Sequence, residues 1–214
     1  MKTTETPTKE PTARERRRQE LIDEIVDTAA PLFARKGYGE TGVAELCDAL
    51  GMARGHLYHL IGSKENVLKL IHQRFIDLLQ SAAEAIRNSD ASPDERLRLI
   101  TRHLMRTIAD HQDYVWVFFT EGRSLSAESR EEYRRQRRAY QAIVESIIED
   151  GQATGQFVDG ATRLLVLGLL GMANESYQWL DPAGKQSPEE IADLFADVFL
   201  YGIATKRPRA RRSK

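Results

Sequence analysis

A chain of 214 residues with 41% hydrophobic side chains, 14 glycines and 7 prolines is composed like a folded globular protein and can bury a core. Its apolar runs stay below the roughly 18 residues of a membrane span, and its N-terminus lacks a signal peptide's apolar segment. A single cysteine excludes an intramolecular disulfide. These features predict a cytoplasmic protein.

The formal net charge is only −1, but it is unevenly distributed along the chain. Residues 65–205 contain 15 Lys and Arg against 22 Asp and Glu, whereas arginines cluster at 14–18 and basic residues at 206–214. The body is therefore predicted to be acidic, with flexible basic ends. A basic arm can contact DNA phosphates or a minor groove. A solvated tail is the alternative for both ends.

The N-terminal third predicts an arm, a long helix and a pair of short helices. Residues 1–12 are rich in Thr, Pro and Glu and are expected to be disordered. Apolar residues at helical spacing predict a helix from about Arg16 to Lys36, kinked at Pro31. A first short helix then ends at Gly51, because glycine adopts the left-handed conformation of a helix C-terminus.

The second short helix is predicted to start near Ala53 and to have two different faces. Its inward residues are Leu57, Leu60 and Ile61, and its outward residues are Arg54, His56, Tyr58 and His59. Two helices joined by a short turn with glycine are typical of a helix-turn-helix, whose second helix enters a DNA major groove. On spacing alone, an ordinary helical hairpin with a solvated face is an equal alternative.

The remaining chain also has only helical patterns, and nine helices are expected in all. Ser63 is predicted to cap a helix that reaches Asn88, and Ser187 with Glu190 forms a capping-box pattern before the last helix. The other predicted segments are 94–110, the aromatic-rich 111–125, 127–154 and the almost wholly apolar 160–180. No alternation of period two indicates a strand, so the predicted fold class is all-α.

One family matches the short-helix region residue by residue. The matching residues are Gly37, Tyr38, Thr41, Val43, Leu46, Ala49, Gly51, Met52, Gly55, Leu57, Tyr58, Ser63, Lys64 and Glu65. This segment resembles the DNA-binding domain of the tetracycline repressor (TetR) family of bacterial regulators. Departures are Gly42, Ala53 in place of a capping serine, His56 in place of a small residue, and Leu60-Ile61. The missing cap should cost about 1 kcal/mol of helix-start stability.

The resemblance implies a nine-helix homodimer with an N-terminal DNA-binding domain and a C-terminal domain for an effector and for dimerisation. The expected divisions are a disordered arm at 1–12, the helix-turn-helix domain at 13–62, the helical domain at 63–205 and a basic tail at 206–214. Dimerisation is expected through the last two helices, whose alternative role is simply core. A two-fold dimer would bind a palindromic operator in double-stranded DNA.

The outward face of the second short helix supplies the candidate DNA contacts. Arg54 and His56 are expected to contact bases, since arginine pairs with guanine through two hydrogen bonds. Gly55, Tyr58 and His59 lie beside them, and by resemblance Thr41 and Lys64 would hold phosphates. His56 and His59 have no third ligand nearby, so no metal site is expected.

Aromatic residues of the C-terminal part supply the candidate effector site. The expected ligand-binding residues are Tyr114, Phe118, Phe119, Tyr140, Met172, Asn174, Tyr177 and Trp179, although aromatics at helical spacing are also typical of a core. Residues 110–203 are similar, more weakly, to branches of the family that respond to acyl-CoA or fatty acids. Arginines at 130–138 could then contact CoA phosphates, or could form a solvated face with Glu131 and Glu132.

No catalytic motif is found, so we expect neither enzymatic activity nor a cofactor. The predicted function is a ligand-responsive transcriptional regulator, most simply a repressor released by a small molecule such as an acyl-CoA or fatty acid. Two alternatives stay open at this stage. One is a drug-sensing regulator with a promiscuous pocket, and the other is a helical lipid- or acyl-CoA-binding module with basic tails.

Overall fold

The computed structural model describes residues 12–203, and within that range it confirms the all-α prediction. Two 3₁₀ turns, Gly122–Ser124 and Glu175–Gln178, accompany nine α-helices. These helices are α1 (Ala13–Lys36), α2 (Val43–Leu50), α3 (Arg54–Ile61), α4 (Lys64–Arg87), α5 (Pro93–Asp110), α6 (Gln112–Thr120), α7 (Ala127–Ala153), α8 (Thr162–Asn174) and α9 (Pro188–Ile203). The predicted basic tail lies outside the described residues.

The chain divides into two compact units between Leu70 and Ile71, inside α4. In the first unit, α1, α2 and α3 pack on one another. Their shared core is built from the predicted inward faces, including Ile25 and Phe33 of α1, Leu46 of α2 and Leu57 of α3. The three helices therefore form one unit because each buries its apolar face against the other two.

The start of α1 differs from the prediction. Thr12 and Glu15 form a reciprocal capping box, with the Thr12 backbone N–H donating to Glu15 Oε2 at 2.7 Å. The helix therefore begins at Ala13 rather than near Arg16, and the arginine cluster at 14–18 lies within its first turns instead of in a flexible arm. Arg17 pairs with Glu20 at 3.1 Å along the same helix. Residues 1–11 of the predicted arm lie outside the described range.

The second unit has one core, formed by α5 to α9 and the later part of α4. The predicted helix at 160–180 is wrong at both ends, because α8 spans only Thr162–Asn174 and continues as the 3₁₀ turn Glu175–Gln178. Ser176 is fully buried there, and its hydroxyl donates to the Ala173 carbonyl at 2.7 Å. That local bond favours the tighter turn over another α-helical turn.

Three ion pairs join α5 to α9 at intervals of four residues along each helix. Arg98 pairs with Asp197 at 2.6 Å, Arg102 with Asp193 through two bonds of 2.5 and 2.9 Å, and Arg106 with Glu189. Along the row of pairs the arginine positions increase while the positions of their acidic partners decrease, so the two helices run antiparallel. The Arg102 guanidinium holds the pKa of Asp193 below its ordinary value, first by hydrogen bonding and then by its charge.

We expect Asp193→Asn to lower the free energy of unfolding at pH 7 by up to about 1 kcal/mol, the usual range for exposed ion pairs. A carboxyl whose pKa is lower in the folded protein than in the unfolded one stabilises the fold at pH values above its unfolded pKa of about 3.9. This stabilisation is lost as the pH falls through the pKa of the carboxyl in the folded protein. The difference between the two proteins, measured by urea unfolding, should therefore narrow from pH 7 to about pH 3 and in about 1 M salt. A difference that is constant with pH would contradict the assignment.

Candidate nucleic-acid interface and effector cavity

Helix α3 has the two faces that the sequence predicts. Its inward residues Leu57, Leu60 and Ile61 are buried. The opposite face is exposed at Arg54, Gly55, His56 and His59, and Tyr58 is half-buried. The Arg54 guanidinium lies 5.5 Å from the centre of the Tyr58 ring, one helical turn further on. The described unit therefore presents a compact cationic and aromatic surface on one short helix.

Hydrogen bonds fix the turn that precedes α3 and the C-terminal end of α3 itself. Before it, Gly51 adopts the left-handed conformation at φ 58°, and its N–H donates to the Asp48 carbonyl at 3.2 Å. After it, the Arg18 guanidinium donates to the Leu60 carbonyl at 3.0 Å, and the Asn66 amide donates to the Ile61 carbonyl at 2.8 Å. These contacts satisfy carbonyls that a helix C-terminus leaves without partners. The helix therefore forms a fixed element despite its short length.

The start of α3 is open by comparison with its end. Ala53 supplies no side-chain hydrogen bond to the first turn, as the sequence predicts. The Ala53 carbonyl accepts from the N–H groups of His56 and Leu57, so the helical turn itself is formed. The first backbone N–H groups of a helix point along its axis and carry a partial positive charge. An exposed anion is the natural partner for such a terminus.

Two of the predicted phosphate contacts have a structural role. Thr41 is fully buried in this structure, and its hydroxyl donates to the Gly37 carbonyl at 2.9 Å. The phosphate contact that the family resemblance implies for it stays a prediction. The Lys64 ammonium donates to the Tyr38 carbonyl and lies 4.1 Å from the centre of the Tyr38 ring. Both residues therefore hold the loop between α1 and α2.

The second unit contains a small cavity between its aromatic side chains. Its volume is about 30 Å³, which is room for one to three water molecules by comparison with the roughly 10–15 Å³ that one water needs. It is lined by Phe75, Ile76, Leu79, Phe118, Phe119, Arg137, Tyr140, Gln141, Leu170 and Asn174. The ring of Phe118 packs edge-on against Phe75 at 4.7 Å between ring centres, so the walls are closely packed.

Half of the predicted ligand-binding residues line this cavity. Phe118, Phe119, Tyr140 and Asn174 do so, and Tyr177 stacks on Phe119 at 4.9 Å between ring centres. Tyr177 itself is not part of the lining, and neither are the other three. Tyr114 packs edge-on against His111, Met172 packs against the core of the second unit, and Trp179 is 52% exposed beyond the end of α8. Their helical positions direct them to other surfaces.

The arginine-rich part of α7 proves to be mostly an ion-paired surface. Arg134 and Arg138 pair with Glu131 at 3.5 and 2.7 Å, and Arg135 pairs with Glu132. Arg130 donates to the carbonyls of Arg123 and Leu125, each at 2.9 Å. Only Arg137 of this group lines the cavity. The solvated-face alternative therefore describes Arg134, Arg135 and Arg138, whereas Arg130 is a half-buried structural residue. Arg137 is the functional candidate.

Helices α8 and α9 leave a large apolar surface exposed. Leu164 and Leu167 of α8, with Leu194, Val198 and Tyr201 of α9, are between 44% and 67% exposed. The three α9 residues recur at positions i, i+4 and i+7, so they form one stripe. An apolar stripe of this kind on two adjacent helices is typical of a protein–protein interface.

Comparison with known proteins explains the two units. Residues 25–71 match the pattern described as "Bacterial regulatory proteins, tetR family", and residues 90–203 match "Tetracyclin repressor-like, C-terminal domain". The chain belongs to the TetR family. The first match covers the helix-turn-helix, and the second covers more than half of the chain, including the exposed apolar stripe and most of the cavity lining. Members of this family are DNA-binding transcriptional regulators.

Individual TetR-family relatives are similar over most of their length. The transcriptional repressor KstR2 of Mycobacterium tuberculosis is 26% identical over 185 residues, which are 84% of this chain and 91% of that protein. The solved structure of PfmR from Thermus thermophilus is 30% identical with a TM-score of 0.79, covering 86% and 100% of the two chains. AibR, solved with isovaleryl coenzyme A and operator DNA, is 27% identical with a TM-score of 0.75, covering 83% and 96%.

The described residues hold neither a membrane-spanning helix nor a cluster of metal ligands. Between residues 12 and 203, none of the helices combines the length and the apolar character that crossing a bilayer requires. In the same range, no three His, Cys, Asp or Glu side chains group as metal ligands would. Cys47 is buried in α2.

Proposed function

We propose that this TetR-family regulator is a homodimeric repressor that binds a palindromic operator through α3 and leaves it when a small molecule enters the cavity. The observation that supports it most is the outward face of α3, where Arg54, Gly55, His56 and His59 are exposed on a helix fixed from behind. Arg54 would pair with a guanine, and the open N-terminus of α3 would face a phosphate. Two relatives support it: KstR2 is a transcriptional repressor, and AibR was solved bound to operator DNA.

Dimerisation would follow from the exposed stripe on α8 and α9. Two copies related by a two-fold axis bring the same apolar surface of each chain together and bury it. Such a pair also carries two copies of α3, which suits half-sites about one DNA turn apart. A palindromic operator is the sequence expected for this symmetry.

The size of the cavity suggests how an effector could act. An organic molecule larger than a few atoms cannot occupy about 30 Å³ unless the surrounding side chains and helices move. A ligand would therefore bind the expanded state better than the state seen here, and this difference is what shifts a conformational equilibrium. A typical coupling of about 1–3 kcal/mol would reduce operator affinity about 5- to 150-fold. The isovaleryl coenzyme A bound by AibR suggests an acyl compound as the effector.

Replacing Arg54 with alanine tests the DNA-binding role. A duplex selected by the wild-type protein from a random library should identify the operator. The variant should lose about 1–3 kcal/mol at one base pair, and changing that pair should no longer matter to it. Fluorescence anisotropy with operator variants at fixed salt measures both effects. Arg135→Ala, which removes an exposed α7 arginine paired with Glu132, is the matched control. Unchanged base preference in the Arg54 variant would refute the assignment.

A further inference from the structure

Arg137 differs from every other arginine of the α7 cluster in its surroundings. Arg134, Arg135 and Arg138 have carboxylate partners, and Arg130 is held by two backbone carbonyls. Among the described residues, no carboxylate lies within ion-pair distance of Arg137. Its guanidinium lies 5.6 Å from the centre of the Tyr133 ring and hydrogen-bonds to the neutral Tyr133 side chain, and Arg137 lines the cavity. A half-buried cation without a counter-ion favours an anion beside it.

Tyr140 provides a second polar group at the same cavity. It follows Arg137 by three residues, so the two side chains are neighbours on one face of α7. Its exposed fraction is only 5%, and its hydroxyl has no hydrogen-bond partner in the structure. Burial raises the pKa of Tyr140 above its ordinary value, so the hydroxyl keeps its proton and remains a donor at physiological pH. A buried hydroxyl without a partner costs stability, which a ligand oxygen would restore.

The rest of the lining is apolar, with two exceptions. Phe75, Phe118 and Leu170 surround the space, while Asn174 and Gln141 offer neutral amides. No carboxylate of the described residues lines the cavity, so a cationic drug would meet Arg137 without a compensating charge. An apolar chain would suit the aromatic walls.

We propose that the effector is an amphipathic acyl anion whose negative charge pairs with Arg137, whose acyl oxygen accepts from the Tyr140 hydroxyl and whose chain enters between the aromatic walls. This inference rests on the proposed regulatory function and identifies the ligand class of its cavity. A fatty carboxylate carries its negative charge on the acyl oxygens and so meets Arg137 and Tyr140 at once. In a CoA ester the pantetheine arm separates the phosphates from the acyl oxygen, so such a ligand would offer its phosphates to Arg137 or its acyl oxygen to Tyr140, but not both. Arg137 and Tyr140 are then the specificity-determining residues.

Four probes with one ten-carbon chain separate these features: decanoate, decanoyl-CoA, methyl decanoate and 1-decanol. Binding to the full chain is measured by calorimetry, without DNA. At least one anionic probe should bind about tenfold or more tightly than 1-decanol, because hydrogen bonds to charged groups are the stronger ones. Arg137→Gln should weaken that anionic probe about tenfold and leave methyl decanoate unchanged, while Arg137→Lys should retain part of the preference. Comparing the affinities for decanoate and decanoyl-CoA shows whether a carboxylate or a CoA ester supplies the negative charge.

Tyr140→Phe keeps the ring and removes only the hydroxyl. It should weaken decanoate and methyl decanoate, which both place an acyl oxygen at the Tyr140 hydroxyl. Arg134→Gln is the control, since Arg134 is exposed and paired with Glu131. Thermal unfolding of each variant without a probe verifies folding. Equal loss of charged and neutral probes in Arg137→Gln, or binding of no anionic probe, overturns the proposal.

A parallel titration of operator duplex separates this inference from the proposed function. If a neutral probe binds and releases the operator, the regulatory function stands and the anionic ligand class is wrong. If decanoate or decanoyl-CoA binds through Arg137 but leaves operator affinity unchanged, the ligand class stands and effector-controlled release is wrong.

Discussion

Replacing Leu194 with glutamate should convert the proposed dimer into monomers and remove high-affinity operator binding. Leu194 is 60% exposed in the middle of the α8 and α9 surface, and two-fold symmetry places the substitution in the interface twice. Losing two buried leucine side chains costs about 1.5–3 kcal/mol each, and two buried carboxylates add to that cost. We therefore expect the dimer dissociation constant to rise at least about a thousandfold, which is about 4 kcal/mol or more.

Sedimentation equilibrium over a range of concentrations measures this change, and anisotropy measures the affinity for full and half operators. The variant should bind a half-site about as weakly as it binds the full site. Ser81→Glu adds the same charge at an exposed position on α4 and should leave the dimer intact. A dimer that persists in the Leu194 variant with wild-type operator affinity would rule out the α8 and α9 interface.

Local signals in the sequence predicted most of the helices, because short-range hydrogen bonds determine where helices begin and end. Gly51 ends α2 in the left-handed conformation, Ser63 accepts from the Asn66 N–H at 3.1 Å, and Ser187 with Glu190 forms the predicted capping box. The same logic could have located the start of α1. Thr12 and Glu15 have the capping-box spacing. Because residues 1–12 are rich in Thr, Pro and Glu, Thr12 was instead assigned to a disordered arm.

The two candidate sites were predictable to different degrees for a physical reason. The face of α3 follows from one helix and its period of about 3.6 residues, so residues such as Arg54 and Leu57 could be assigned to opposite faces directly. The cavity depends on how α4, α6, α7 and α8 pack, and no local pattern reports that arrangement. Phe75 and Leu79 of α4, for example, line it but were not among the predicted ligand-binding residues.

Arg137 shows the same limit for charged residues. In the sequence it belongs to a run of arginines with two glutamates beside them, and its neighbours were equally plausible as ligand contacts. Only the structure shows that Glu131 and Glu132 pair with the others and that Arg137 lies at the cavity. A run of charged residues in a sequence therefore indicates a surface, but only the folded structure shows which residue each charge pairs with.

Replacing Gly151 with alanine should destabilise the second unit severely, even though the change adds a single methyl group. Gly151 is buried near the end of α7, and a Cβ there would lie 2.1 Å from Cδ2 of Phe157. Phe157 is itself buried and its N–H donates to the Gly151 carbonyl at 2.9 Å, so its ring has little freedom to move away. We expect a net loss of about 2–3 kcal/mol in unfolding free energy, since overpacking exceeds the gain in helix propensity.

A loss of this size lowers the melting temperature by roughly 5–10 °C for a chain of this length, which thermal unfolding followed by circular dichroism resolves easily. Gly160→Ala is the matched control, because a Cβ at Gly160 meets nothing within 4 Å, and its effect should stay within about 0.5 kcal/mol. Adding Phe157→Leu to the Gly151 variant should cost less than the same change in the wild type, because the clash is partly relieved. Strict additivity of the two substitutions would show that the contact between Gly151 and Phe157 does not limit stability.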